Sequence, residues 1–202
     1  LSNILIGLGL KVGLYTSPHL VSINERIRIN GHPIKNKDLN YIIKKYKKSI
    51  EINKASFFEA MTLIAFSYFQ IKKTDIAILE TGLGGRYDSV TACKPELVVF
   101  TPISIDHKEI LGDTIEKIAL EKSGIIKFQT PIFSSKQKQS VRNILIKKAK
   151  EKECHINFCN YENHIKLKYL YGQHQNENAQ LAYDVAKFLY SNKKDIILKK
   201  LK

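Results

Sequence analysis

Short apolar segments alternate with longer helical patterns along most of the chain, and this alternation restricts the fold more than any other feature. Residues 75–79 and 96–100 are almost wholly apolar, which is typical of strands covered on both faces. Shorter strand patterns occupy residues 12–15, 131–134 and 155–158. Strands separated by helices at this spacing imply right-handed crossovers. The sequence therefore predicts an α/β fold with a largely parallel sheet and helices on both faces.

Two long helices stand out from their apolar periodicity. Residues 36–52 place Leu39, Ile42 and Tyr46 on one face of a helix. Lysines cover the rest of the helix surface, and the simplest interpretation is that this surface contacts solvent. Residues 56–71 are apolar almost all round, which predicts a buried helix with Ser56 and Glu59 forming its capping box. An alternating strand is predicted at 25–30, ending in an Asn-Gly turn, and further helices at 1–10, 113–126, 138–152 and 175–190.

The length and net charge of the chain limit the number of domains and the class of protein that we expect. Its 202 residues suffice for one α/β domain, and a second full domain is not expected. The net charge of +14 raises the alternative of nucleic-acid binding. Arginine, however, occurs only at Arg26, Arg28, Arg86 and Arg142, and scattered lysines supply the remaining positive charge. This distribution argues against a nucleic-acid interface, because arginine is the preferred reader of phosphate and guanine.

The sequence shows neither a targeting signal nor a pair of cysteines with the spacing of a zinc site. No apolar run approaches the roughly 20 residues of a membrane helix, and the first residues lack signal-peptide order. A cytoplasmic protein without membrane contact is therefore expected. Cys93, Cys154 and Cys159 lack the short paired spacing of a zinc site and are expected to be free thiols.

Three short runs place ionisable side chains beyond predicted strands, where open α/β sheets bind their ligands. The first is residues 80–88 (Glu-Thr-Gly-Leu-Gly-Gly-Arg-Tyr-Asp), whose glycines either let backbone amides approach an anion or simply form a tight turn. The second is Asp106-His107, in which the carboxylate either orients the imidazole or belongs to a helix cap. The third is residues 121–124. Together they suggest a metal and phosphate site.

Lys122, in the third run, falls within the apolar stripe of its predicted helix. A bare ammonium group there is costly, so it must pair with an anion, extend to the edge or be chemically neutralised. Magnesium prefers oxygen ligands, which suits Glu80 and the Ser17 hydroxyl, and a single imidazole is tolerable. Zinc would need more histidine or cysteine at this edge.

Seven motifs in the same order closely resemble those of the folylpolyglutamate synthase/dihydrofolate synthase family of the Mur ligase superfamily. They are residues 15–20, 25–31, 57–59, 80–88, 106–107 with 111–112, 121–127, and 172–175 through 178–179. The resemblance spans nearly the whole chain, which corresponds to about the central half of a family member.

The resemblance implies an ATP-dependent ligase in which magnesium ions bridge ATP and an acyl phosphate. Its magnesium ligands match Ser17, Glu80 and His107, and its carbamylated lysine matches Lys122, so that Glu80, His107 and Lys122 would be catalytic. Ser56, Phe57, Phe58, Asp88 and Ser89 match the pteroate pocket, and Asn178 matches an asparagine that contacts the nucleotide base. The implied cofactor is Mg2+, and the implied partners are ATP, L-glutamate and a folate or dihydropteroate.

The chain also departs from the family pattern. The 202 residues contain no glycine-rich phosphate loop ending in Lys-Ser/Thr, which the family carries upstream, and no C-terminal glutamate-binding domain. Residues 89–91 are Ser-Val-Thr where the family usually has Ala-Thr-Asn. Residues 1–202 are thus expected to be a partial ATP-binding domain that is inactive alone. A non-catalytic remnant, or one half of a split enzyme completed by a separate chain, is the alternative.

Overall fold

The computed structural model describes residues 1–160, 167, 171–193 and 197. Contacts along the chain divide it into two compact units. The first unit is Ser2–Gly82, and the second is Leu83–Lys202 together with Leu1.

The first unit contains a four-stranded sheet with three helices. Its elements are α1 (Ser2–Gly7), β1 (Val12–Tyr15), β2 (Ile27–Ile29), β3 (His32–Pro33), α2 (Asn36–Ile52), α3 (Phe57–Lys72) and β4 (Ile76–Leu79). The strand order is β3-β2-β1-β4, with β1 and β4 parallel and the other two pairings antiparallel. Asn30 and Gly31 both have positive φ angles in the two-residue β2–β3 turn, as such hairpin turns require.

The structure corrects the strand predicted at residues 25–30. Residues Ile23–Arg26 form a single 3-10 turn, and β2 begins only at Ile27. The cause is local hydrogen bonding, because Ser22 caps the turn and the Glu25 carboxylate accepts the Ser22 backbone N–H at 2.8 Å. Such side-chain bonds offer the backbone an alternative to extended structure.

Helix α3 begins as the sequence predicts. The Ser56 side chain accepts the Glu59 backbone N–H, and the Glu59 carboxylate accepts the Ser56 backbone N–H at 2.7 Å. The predicted burial holds along the middle of the helix, whereas Phe57 and Ile71 near its ends are exposed. Strand β1 lies so close to α3 that a Cβ atom on Gly13 would be 2.8 Å from the Phe69 ring.

The second unit contains a three-stranded parallel sheet in the order β5-β6-β7. Its elements are β5 (Val98–Phe100), α4 (Lys108–Leu111), α5 (Ile115–Ser123), β6 (Ile132–Ser134), α6 (Gln139–Glu151), β7 (Ile156–Phe158) and α7 (Gln173–Leu189). A core cluster joins the sheet to α5 and α6, and its fully buried members include Ile118, Ile132 and Leu145. These residues hold α5 and α6 against the sheet.

The α/β fold class is confirmed, with two differences in detail. Three of the five strand pairings among the described residues are parallel, and they are divided between two sheets. Strands β4 and β5 are not covered on both faces, because Ala77 is exposed and Val99 is 38% exposed. Within the described part of the chain, no helix has both the length and the apolar character needed to cross a membrane.

Candidate functional site

Ser17 and Glu80 lie side by side at the carboxyl ends of two neighbouring parallel strands. Tyr15 and Leu79 are partners at the ends of β1 and β4, so Glu80 is one residue beyond the sheet and Ser17 is two. The Ser17 backbone N–H donates to Glu80 Oε2 at 2.9 Å, and the Glu80 N–H donates to the Tyr15 carbonyl at 2.9 Å. This edge thus offers a carboxylate held in place by the backbone, next to a half-buried serine.

A second carboxylate organises the loop that follows Ser17, and it was not singled out from the sequence. Glu25 accepts backbone N–H groups from Leu20 and Val21 at 3.1 Å each, and from Ser22 at 2.8 Å. The backbone hydrogen bond from Ser22, followed by that from Leu20, lowers the pKa of Glu25. The spacing Ser22-x-x-Glu25 is a capping-box signature and could have revealed this arrangement.

Phe57 and Arg26 form a cluster at the start of α3. The Phe57 ring is 56% exposed, and the Arg26 guanidinium carbon lies 5.2 Å from its centroid. Arg26 is buried and donates from Nε to His19 Nδ1 at 2.9 Å. The guanidinium thus supports an aromatic ring that remains open to solvent.

Phe58 and Ser56, predicted together with Phe57, are engaged within the unit. The Phe58 ring packs against Tyr15, with 5.7 Å between centroids, and a Cβ atom on Gly82 would lie 2.5 Å from it. The Ser56 hydroxyl donates to Glu59 Oε2 at 2.7 Å. Of the three predicted substrate residues in this unit, Phe57 therefore presents the most accessible ring.

In the second unit, His107 lies between β5 and α4. It is exposed, has a φ of 50° and is the N-cap residue of α4 without a side-chain capping bond. Asp106 Oδ2 lies 3.5 Å from His107 Nε2, and its Oδ1 accepts the His107 backbone N–H at 2.8 Å. The structure thus gives His107 both features considered from the sequence, a helix-cap position and a neighbouring carboxylate.

Lys122 lies in the last turn of α5, on the side of Ile115, Ile118 and Ala119. These three residues are buried and Lys122 is half-buried, as the stripe predicted. No ion pair involves Lys122 among residues 1–160, 167, 171–193 and 197. Lys122 therefore lies half-buried at the end of the helix without an ion-pair partner in that part of the chain.

The glycine-rich segment 83–88 packs against both α4 and α5. Gly84 has a φ of 66°, and a Cβ atom there would lie 3.0 Å from the Leu111 side chain of α4. A Cβ atom on Gly85 would lie 2.5 Å from the Lys122 carbonyl oxygen. Gly84 is required by its positive φ and Gly85 by its close backbone contact, as the tight-turn alternative predicts.

Asp88, predicted to bind substrate, is 6% exposed and anchors this segment. Its Oδ2 accepts the Leu83 N–H at 3.0 Å, and its Oδ1 accepts the Val90 N–H at 3.0 Å. Ser89 begins the 3-10 turn Ser89–Ala92 that Asp88 caps. Asn178, predicted to contact the nucleotide, is exposed on α7.

The predicted metal ligands come from both units. Ser17 and Glu80 belong to the first unit, where they are in contact, and His107 and Lys122 belong to the second. Among the described residues, no group of three histidine, cysteine, aspartate or glutamate side chains could hold a metal ion. A site built on Ser17 and Glu80 would instead draw on hydroxyl and carboxylate oxygens.

Comparison with known proteins identifies relatives along the whole chain. The profile of the Mur ligase middle domain matches residues 34–196. The mitochondrial folylpolyglutamate synthase of Cricetulus griseus is 35% identical over 198 residues, which cover 91% of this chain and 34% of that protein. The dihydrofolate synthase/folylpolyglutamate synthase of Bacillus subtilis is 44% identical over 134 residues, which cover 63% of this chain and 31% of that protein.

Solved structures agree with these matches. Folylpolyglutamate synthase of Mycobacterium tuberculosis, complexed with ADP and AMPPCP, superposes with a TM-score of 0.89 and 27% identity over 99% of this chain and 54% of that one. A structure described as an FPGS-AMPPCP-folate complex gives a TM-score of 0.88 and 26% identity over 99% and 57%. The chain thus spans about a third of its curated relatives and just over half of these structures.

Proposed function

The chain belongs to the Mur ligase middle domain family, and from that premise we propose that it is the central part of an ATP-dependent ligase. The ligase joins L-glutamate to a carboxylate of a folate or dihydropteroate. The Ser17–Glu80 pair is the observation that carries this proposal, because it presents a hydroxyl and a fixed carboxylate at the edge where α/β sheets bind nucleotides. Relatives described as complexes with AMPPCP and folate support both ligand classes.

The reaction consists of two transfers. The substrate carboxylate attacks the γ-phosphorus of ATP, which forms an acyl phosphate and releases ADP. The glutamate amine then attacks the acyl carbon, phosphate leaves, and the amine loses a proton as the amide forms. The electrostatic demand is greatest on the transferring phosphoryl group and on the tetrahedral carbon.

The oxygen donors of Ser17 and Glu80 fit magnesium, which prefers hard oxygen ligands. Bound there, the ion would neutralise charge on the phosphoryl oxygens. The Ser17 N–H holds Glu80 Oε2, so the orientation of this carboxylate is set before a ligand arrives. We assign Ser17 and Glu80 as magnesium ligands of the first unit.

In the second unit, we assign His107 and Lys122 as magnesium ligands. Asp106 lies next to the imidazole and restrains its ring. Carbamylation of Lys122, in which its neutral amine adds carbon dioxide and releases a proton, would convert the half-buried ammonium into an oxygen ligand. The absence of an ion pair to Lys122 within the described residues is compatible with that conversion.

The substrate residues have different roles in the proposal. The exposed ring of Phe57 offers a stacking surface for a pterin, supported from behind by Arg26. Ser56 and Phe58 of the first unit, and Asp88 and Ser89 of the second, are further proposed substrate residues, and Asn178 would contact the nucleotide base.

The test measures glutamate incorporation by the longest natural polypeptide that contains these residues. Its single-residue variants are compared with the unmodified protein. We expect Glu80→Gln to reduce kcat/KM by about 100-fold or more, as loss of a main electrostatic contact does. Glu51→Gln is the matched control, because Glu51 is an exposed carboxylate on α2 of the same unit. Equal activity of Glu80→Gln and the control would refute the assigned role of Glu80.

A second assay addresses the 202 residues by themselves. They lack a phosphate loop, so we expect the purified chain to show no glutamate incorporation with ATP and Mg2+. Measurable turnover would overturn that expectation. Activity that appears only on addition of a polypeptide carrying a phosphate loop would indicate one half of a split enzyme.

A further inference from the structure

We propose that the glycine-rich segment Leu83–Asp88 is a positioning element that fixes α4 and α5, and with them His107 and Lys122. The proposal rests on the function proposed for those two residues. It develops the tight-turn alternative for this glycine-rich run. Its test is chosen so that it reads the position of Lys122 without requiring catalysis.

The contact between this segment and α5 is reciprocal. A Cβ atom on Gly85 would lie 2.5 Å from the Lys122 carbonyl oxygen, and one on Gly124 would lie 2.6 Å from Arg86 Cα. Each chain segment therefore needs glycine where the other approaches. The two backbones are packed as closely as atoms permit, so any displacement of the segment displaces the end of the helix.

Polar contacts fix the register of this packing. The Arg86 backbone N–H donates to the Glu121 carbonyl at 3.2 Å, and the same carbonyl also accepts the Gly124 N–H at 3.2 Å. The Arg86 guanidinium lies 3.6 Å from the Glu121 carboxylate. Arg86 thus binds both the backbone and the side chain of the residue that precedes Lys122.

The other end of the segment is also secured. The Asp88 carboxylate accepts the Leu83 N–H, and the Asp88 N–H donates to the Gly85 carbonyl at 3.3 Å. Gly84 meanwhile packs on Leu111 at the end of α4, the helix whose N-cap residue is His107. A single segment closed by one buried carboxylate therefore contacts both helices that present the proposed ligands.

Arg86 is a positioning residue in this scheme, since its described contacts are with Glu121 and Gly124 rather than with a reacting group. The test measures acetylation of Lys122 by limiting acetic anhydride in the whole 202-residue chain, with peptide mass spectrometry and Lys136 as internal reference. We expect Arg86→Met and Gly124→Ala each to change the acetylation rate of Lys122, relative to that of Lys136, by about threefold or more. This is the effect of losing one coupled contact. Arg86→Lys should restore most of the original rate.

Lys117→Met provides the matched control, because Lys117 lies on α5 but forms its ion pair with Asp113 rather than with the glycine-rich segment. This variant should leave the Lys122 rate unchanged. An unchanged Lys122 rate in a folded Arg86→Met protein would overturn the proposal, and so would an equal change in the control. If Gly124→Ala does not fold, Arg86→Met and Arg86→Lys still decide the question.

The acetylation and ligase assays distinguish a failure of the proposed function from a failure of this inference. Acetylation reports the placement of Lys122 whether or not the protein is a ligase. In the longest natural polypeptide, Arg86→Met should lower kcat more than it raises KM for glutamate, and Arg86→Lys should recover part of the loss. An altered acetylation rate without any ligase activity would retain the positioning role and reject the function.

Discussion

Replacement of Asp88 tests whether this residue is primarily a structural anchor. Its carboxylate is buried and accepts the N–H groups of Leu83 and Val90, both at 3.0 Å. Asp88→Ala leaves both donors without that acceptor. A buried donor deprived of its partner costs about 1–3 kcal/mol, and the Leu83 donor is only partly buried, so we expect a total loss of about 2–4 kcal/mol.

Asp88→Asn separates the two bonds. The amide keeps one acceptor oxygen and turns an NH2 group toward the other backbone N–H, so we expect a smaller loss, of about 1–3 kcal/mol. Asp113→Ala is the control, because Asp113 is an exposed carboxylate of the same unit that pairs with the Lys117 side chain at 2.8 Å. Its removal should leave the unfolding midpoint nearly unchanged.

The assay is urea unfolding, combined with hydrogen exchange at the Leu83 and Val90 amides. Exchange is needed because two compact units do not guarantee a single unfolding transition. Both amides should exchange faster in Asp88→Ala than in the parent chain, and their protection should be retained in Asp113→Ala. Unchanged stability and unchanged exchange in Asp88→Ala would refute the anchor role, and would leave Asp88 available for substrate binding alone.

Two further predictions concern stability. Hydrogen bonds from the Ser56 hydroxyl and the Ser56 backbone N–H lower the pKa of Glu59, so its contribution is present above the unfolded-state pKa and is lost as pH falls through the lower folded-state pKa. In urea titrations across acidic pH, stability of the parent chain should therefore fall more steeply than that of Glu59→Gln, and identical pH profiles would contradict the capping box. Ile132→Ala removes a fully buried side chain of β6 and should cost about 2–5 kcal/mol in the same assay. Val99→Ala, on a partly exposed strand position, should cost clearly less, and equal losses would argue against the described core.

Several elements were predictable because their signals are local in sequence. Strand β1, helix α2 and the Ser56–Glu59 capping box lie where the sequence placed them. Periodicity and capping involve residues only a few positions apart, so their physical basis is present before any tertiary contact forms. The Glu25 arrangement is equally local, and the same reasoning applied to Ser22 would have found it.

Sequence motifs also predicted the family, which the Mur ligase middle domain match confirms. They predicted that Lys122 would lie on the buried side of its helix and that Asp106 would accompany His107, and the structure agrees. Apolar runs could not predict that Val99 would remain partly exposed, because coverage of a strand depends on what packs over it.

Tertiary structure alone decided what the glycines and Asp88 do. From the sequence, Gly84 and Gly85 could serve a turn or an anion, and Asp88 matched a substrate residue only by resemblance. Their packing against Leu111 and Lys122, 27 and 37 positions further along the chain, depends on how α4 and α5 fold back onto the segment. Such close approaches between distant residues have no local sequence signal, because excluded volume acts only once the chain has brought those atoms together.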